Sequence, residues 1–350
     1  MASSSSFFPR VTSVPSLKEL VATHLTNQLG SVSAVKEFIS ENANIAFEPM
    51  LEGQLERLQS QFKKLLEHVV LGNQKEAEDI IKENPNLLLY KRTVVDYSGR
   101  IIEGTALQIA LGAEDVRFHD DEVAMVEMIM RHLKKLPDGE LKIQKQIQQQ
   151  FPEGWEIKEN ERAQNDLTAL NKVIKTISDA QPNDDCEAAL EEFRNHLKPK
   201  GVITTGKHFN AQLLVEAYKL YIKNYDSFGG KSAKNKLVWR KVIGYIQRFL
   251  PANYAQAFCR GVHSVVLHGE RLNRSLKFRF DNDVSFFPLD TNSDKRLGFN
   301  FALRGCGEKG KRNATPAMVS LCLKDYANLI EKKTLRLQEL CKVQKFRLTI

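Results

Sequence analysis

The chain has 350 residues, of which 42% are hydrophobic and 27% charged, a composition that excludes wholesale disorder. No apolar run approaches the ~20 residues that a membrane helix needs, so no integral membrane segment is expected. The net charge of +8 is unevenly placed: residues 1–200 carry 24 Lys+Arg against 32 Asp+Glu, and residues 201–350 carry 27 against 11. A sign change near residue 200 marks a boundary. A basic half suggests an anionic partner, or a face that docks on the acidic half of the same chain.

Helix signals dominate the first 270 residues. Residues 1–15 are small and polar and read as a disordered tail, with no secretory leader. Ser16 and Glu19 form a capping-box pattern ahead of Leu17, Leu20, Val21 and Leu25, and a second short helix is predicted over 33–40. After Pro49, apolar residues from Leu51 to Val69 recur every three or four positions, which predicts a long amphipathic helix. Shorter helices are expected at 75–83, 105–112 and 122–136, with turn residues over 96–104. Beyond the Pro137-Asp138-Gly139 turn, helices are expected at 139–150, 160–179, 186–197, 209–225, 235–249 and 253–267.

The pattern changes after residue 272. Leu276–Phe280 alternates apolar and basic residues as a half-buried strand does, and Val284–Leu289 and Leu297–Leu303 read as further strands. A small antiparallel meander is expected there, followed by a helix over about 316–345. The division that follows is 1–15, 16–137, a helical array over 138–270, and a β-plus-helix segment over 271–350.

Two stretches carry a helical-repeat signature. Leu66–Leu88 reads as helix, Gly-Asn turn, helix and loop. Asp96–Gly99, Gly104-Thr-Ala-Leu-Gln-Ile-Ala110 and Met125–Met130 read as turn, helix and helix. Thr105 can cap the helix it starts, and Leu107 and Ala110 share one face. The segment 66–133 resembles ankyrin repeats, whose signature has Gly-x-Thr-Pro-Leu-His-x-Ala. Ala106 and Gln108 stand where that pattern has Pro and His, and residues 112–121 are long and acidic for an inter-helix turn. The resemblance extends to ankyrin-like proteins of intracellular bacteria that inject effectors into host cells.

It implies a mostly α chain built as an ankyrin-like helical-pair array, with a small antiparallel β segment and a C-terminal helix. It also implies a protein–protein interaction module. Leu107, Ala110, Val126 and Ile129 are expected in the core. Exposed repeat loops form the binding side in that architecture, which points to Tyr97, Arg100 and Glu103 as partner contacts.

The alternative is a binder of nucleic acid or anionic lipid through 201–350. Lys236, Trp239, Arg240, Lys241, Arg248, Arg271 and Arg274 interleave cations with rings, and rings stack on bases while cations neutralise phosphate. An enzyme with an unrecognised site is the third reading.

Other motifs are weak. Gly201–Lys207 fits a phosphate loop, but His208 stands where Ser or Thr meets Mg²⁺. Gly305–Gly310 has dinucleotide-loop spacing with too little chain after it, and Asp290–Asp294 lacks the glycine of a calcium loop. His119–Glu122 gathers metal-ligand types at a helix entry, where acids are expected for dipole reasons. No cofactor and no metal is expected. Five cysteines without a Cys-x-x-Cys pair suit reduced thiols, hence a cytoplasmic setting or delivery into a host cell.

Overall fold

The computed structural model describes residues 48–285 and 314–346, apart from 121, 153–156, 182–183, 231, 273 and 279–280. The helices expected over 16–40 lie outside the described residues, as do the strand at 297–303 and the motifs Asp290–Asp294 and Gly305–Gly310. The chain divides into two compact units, residues 1–63 and residues 64–350. The divisions read from sequence at 137 and 270 fall inside the second.

The architecture is mostly α. Helix α1 (Glu48–Val70) ends at a Gly72-Asn73 turn, and α2 (Gln74–Glu83) follows, closed by a 3₁₀ turn at Pro85–Leu89. Next comes a hairpin, β1 (Arg92–Val95) and β2 (Ile101–Gly104), paired antiparallel with Val95 opposite Ile101. The sequence showed only turn residues over 96–104, because strands of four residues leave almost no alternation to read.

Helix α3 (Ala106–Gly112) starts where the repeat motif predicts. Thr105 Oγ1 accepts from Gln108 N at 3.2 Å, and Gln108 Oε1 accepts from Thr105 N at 3.0 Å, a closed capping box. Gln108 therefore has a local task of its own. Its Nε2 also donates to Gln146 O at 3.3 Å. Helix α4 (Met125–Leu133) packs against both α3 and α2. Leu107, Ala110, Val126 and Ile129 are all buried, as the apolar spacing requires.

Helices α5 (Gly139–Gln150), α6 (Ile157–Asp179) and α7 (Glu187–Leu197) follow, then a two-residue strand, β3 (Val202–Ile203). β3 pairs parallel with β2, placing Ile101 opposite Val202, so the sheet order is β1-β2-β3. Helix α8 is Gln212–Lys223. The helix predicted over 235–249 is observed in three pieces: α9 (Ala233–Leu237), a π-helical stretch Val238–Ile243, and α10 (Gly244–Gln247). The helix predicted over 253–267 divides into α11 (Ala252–Arg260) and α12 (Val262–Leu267). The break is Gly261 at φ 102°, a left-handed backbone that glycine alone adopts readily. A short hairpin, β4 (Lys277–Phe278) with β5 (Asp281–Ser285), and a long helix, α13 (Pro316–Phe346), complete the described chain.

One hydrophobic core runs from Phe118 to Leu329 through α6, α8, α11 and α13. At its centre Trp239 packs on Tyr221 and Tyr218, with ring centroids 5.3 and 6.4 Å away.

Candidate functional site: a sheet face beside a basic cleft

The charge asymmetry has a structural outlet. The acidic connection between α3 and α4, too long for an ordinary repeat turn, is a hub for cations from the basic half. Lys207 Nζ pairs with Glu114 Oε1 at 2.7 Å, and the Tyr254 hydroxyl donates to Glu114 Oε2 at 3.1 Å. Arg274 grips both oxygens of Asp115 through Nη1, at 2.9 and 2.8 Å. Arg336 Nε reaches Glu127 Oε1 at 3.1 Å. Lys333 is fully buried, donates to the carbonyls of Glu114 at 3.3 Å and Val116 at 2.9 Å, and burial lowers its pKa. The basic half thus docks in part on acids of the same chain.

That hub corrects several expectations. Arg274 is held by Asp115 and is no element of a free cationic stripe. Trp239 is 1% exposed and offers no face to a base. Arg248 is buried over the Tyr245 ring, at 5.5 Å. Lys241 pairs with Glu187 at 3.2 Å. Lys236 and Arg240 are half-buried and Arg271 is exposed. The reason lies in the amphipathic pattern: a helix in the core must turn its rings inward. In the Gly201–Lys207 loop, the lysine that would meet phosphate is committed to Glu114. His119 Nε2 lies 2.9 Å from Val265 O, and Glu122 Oε2 accepts from Phe118 N at 2.9 Å, so both acid-entry residues serve the backbone.

The expected partner contacts separate. Arg100 is 4% exposed and not at the surface. Its Nε and Nη2 each lie 2.7 Å from Asp96 Oδ2, and its Nη1 donates to the carbonyls of His208 at 3.2 Å and Phe249 at 2.9 Å. A fully desolvated guanidinium needs such partners, so this turn folds inward. Tyr97 is half-buried against the core, and that burial pushes its hydroxyl pKa well up. Glu103 is exposed on β2, as expected, opposite exposed Thr93.

Glu103 shares its face with a row that sequence reasoning missed. Val95, Ile101 and Val202 are direct neighbours across the three strands, and they are 59%, 37% and 51% exposed. The row depends on pairing Val202 to a strand about a hundred residues earlier, for which the sequence holds no signal.

Next in β3, Ile203 turns into a cleft of about 470 Å³ formed by α6, α7 and the 198–210 segment. Asp166 anchors this cleft: it is buried, its Oδ1 lies 2.9 Å from His196 Nε2, and its Oδ2 accepts from Asn210 Nδ2 at 3.0 Å. Arg162 donates to the carbonyls of Lys207 at 3.1 Å and His208 at 3.3 Å. The His208 imidazole is fully enclosed, and burial, with Arg100 and Arg162 nearby, lowers its pKa to about 3. Among the described residues no group of His, Cys, Asp and Glu is placed to hold a metal ion.

A mostly α chain with a small three-stranded sheet is the class these features define. Residues 213–346 match the family described as CBUA0006 C-terminal domain. The chain is 28% identical over 305 residues to the uncharacterized protein CBUA0006 of Coxiella burnetii (strain RSA 493 / Nine Mile phase I), covering 84% of this chain and 75% of that one. No solved structure matches. The family match begins at Leu213, so the apolar row and the cations of the cleft precede it.

Proposed function

We propose that the chain is an interaction module that binds a protein partner through the outer face of the β1–β2–β3 sheet. The observation that carries this reading is the row Val95–Ile101–Val202, three β-branched side chains left in water side by side. Isolated exposed apolar residues are ordinary; three in register on one sheet form a surface that gains by being covered. Glu103 flanks the row and would set register against a basic group of the partner. The partner surface that fits is apolar with one neighbouring cation.

The ankyrin-like reading is supported by the order hairpin, capped α3, packed α4. The Arg100 anchor and the acidic hub are departures from it. Cys186 and Cys259 are buried free thiols, which favours a reducing compartment such as the cytosol. Delivery into a host cell rests on the resemblance alone. Among the described residues no helix is long and apolar enough to cross a membrane.

The test is affinity capture with the full chain, the variant Val202→Asp and the control Leu335→Asp, which alters an exposed residue of α13. The reading expects a protein retained by wild type and control but lost with Val202→Asp at unchanged melting temperature. Identical capture by all three would overturn it.

A further inference from the structure

The cleft beside the sheet has a charge pattern that neither the apolar row nor the core explains. Asp166 is the one carboxylate among its described lining residues, and it is already engaged by His196 and Asn210. Facing it are Arg162, His196, Lys198 and Lys200. Arg162 spends two N–H groups on the carbonyls of Lys207 and His208, and its other three carry no bond among the described residues. Those two bonds hold the guanidinium plane in place before any ligand arrives. His196 is oriented the same way: Nε2 is on Asp166, and Nδ1 carries no bond among the described residues. Lys200 is exposed at the mouth, and Lys198, also exposed, is held by Asn195 Oδ1 at 2.7 Å and Glu191 Oε1 at 3.4 Å.

Four donors from three separate elements converge here: one from α6, one from α7 and two from the segment after α7. A carboxylate offers two oxygens in one plane, which a single guanidinium can satisfy. A phosphate monoester offers three terminal oxygens in a tetrahedral array and a charge near −2 at neutral pH, which suits a fixed guanidinium flanked by ammonium groups. The cleft is also larger than a bare phosphate. Its volume of about 470 Å³ falls within the ~300–1,000 Å³ of small-molecule sites, and Phe209, Leu213 and Ile203 give it an apolar wall.

We propose that this cleft binds a phosphorylated small molecule, its phosphate held by Arg162, His196, Lys198 and Lys200 and its organic part against Phe209 and Leu213. This site is separate from the protein-binding face: Ile203 lines the cleft, and Val202 points to the other side of the sheet.

The test is calorimetric titration of the full chain, at low salt, with AMP, ribose 5-phosphate, adenosine and inorganic phosphate. Saturable binding of at least one organic phosphate, tenfold or more tighter than inorganic phosphate and absent for adenosine, is the expected result. Lys198→Glu with Lys200→Glu alters two exposed side chains, so the fold survives, and it should weaken that binding at least tenfold. Lys200→Arg should retain it. Val202→Asp should also retain it, which separates this proposal from the partner-binding one. Absence of binding by both organic phosphates at millimolar concentration overturns the proposal. So does equal binding by the double variant, or binding of a single-stranded oligonucleotide without binding of either organic phosphate.

Discussion

The His208 imidazole lies against the bare Cα of Gly112, so closely that a Cβ there would stand 2.2 Å from Nε2. The backbone N–H of His208 donates to the Gly112 carbonyl at 2.7 Å. Two contacts between the same pair lock the last turn of α3 to the segment that floors the cleft. Gly112→Ala should therefore destabilise the protein by about 2 kcal/mol, through overpacking in a site that cannot give way. Urea denaturation measures this. Adding His208→Ala to Gly112→Ala should recover part of the loss, since it removes the clashing ring.

The same histidine predicts a pH dependence. Its folded pKa, about 3, lies below the ordinary 6.5, so the unfolded chain binds the proton more tightly. The contribution of a neutral His208 is complete above pH 6.5 and is lost as the pH falls from there toward 3. By linkage, that loss reaches about 2 kcal/mol at pH 5. Urea midpoints at pH 7 and pH 5 should show the drop, and His208→Gln should lack that part of it. An equal drop in the variant would mean that other groups titrate.

Arg274 and Asp115 form a buried, two-oxygen pair, which makes each strongly dependent on the other. Arg274→Ala leaves Asp115 and Glu122 desolvated without their cation, and should cost about 3 kcal/mol. Thermal melting checks this. The double change Arg274→Met with Asp115→Leu should be far milder than the sum of the single changes.

Leu107 is fully buried in α3. Leu107→Asp should cost on the order of 3 kcal/mol by burying an unpaired charge, and Thr105→Ala about 1 kcal/mol by opening the capping box. An unchanged melting point for Leu107→Asp would remove α3 from the core.

How much was legible follows the range of the interactions. Helix α5 matches the predicted 139–150 because Gly139 and the apolar spacing are local signals. Thr105 and Gln108 lie three residues apart, so their capping box was half visible in advance. The basic–aromatic span allowed two readings, because periodicity says that Trp239 shares a face with Ile243 and Ile246, but not which way that face points; in the structure it points inward. Arg100 was expected on an exposed loop and is buried: nothing near it in sequence announces the carbonyls of His208 and Phe249, 108 and 149 residues away. The cleft residues Arg162, His196 and Lys200 come from three elements, and no spacing links them. Its one faint signal was the glycine loop 201–206, which forms the cleft's edge and not a phosphate cradle.

Lys333 carries a consequence for biosynthesis. Its ammonium serves carbonyls 219 and 217 residues upstream. A ribosome releases the chain from the N-terminal side at roughly 5–20 residues per second. The Glu114 and Val116 carbonyls must then wait about ten seconds or more for that ammonium. During that interval Lys207, Tyr254 and Arg274 can already engage the side chains of Glu114 and Asp115, while the two carbonyls still lack their ammonium. The acidic hub is therefore fastened in stages, its carboxylates first and its carbonyls last, and α13 supplies the final fastening.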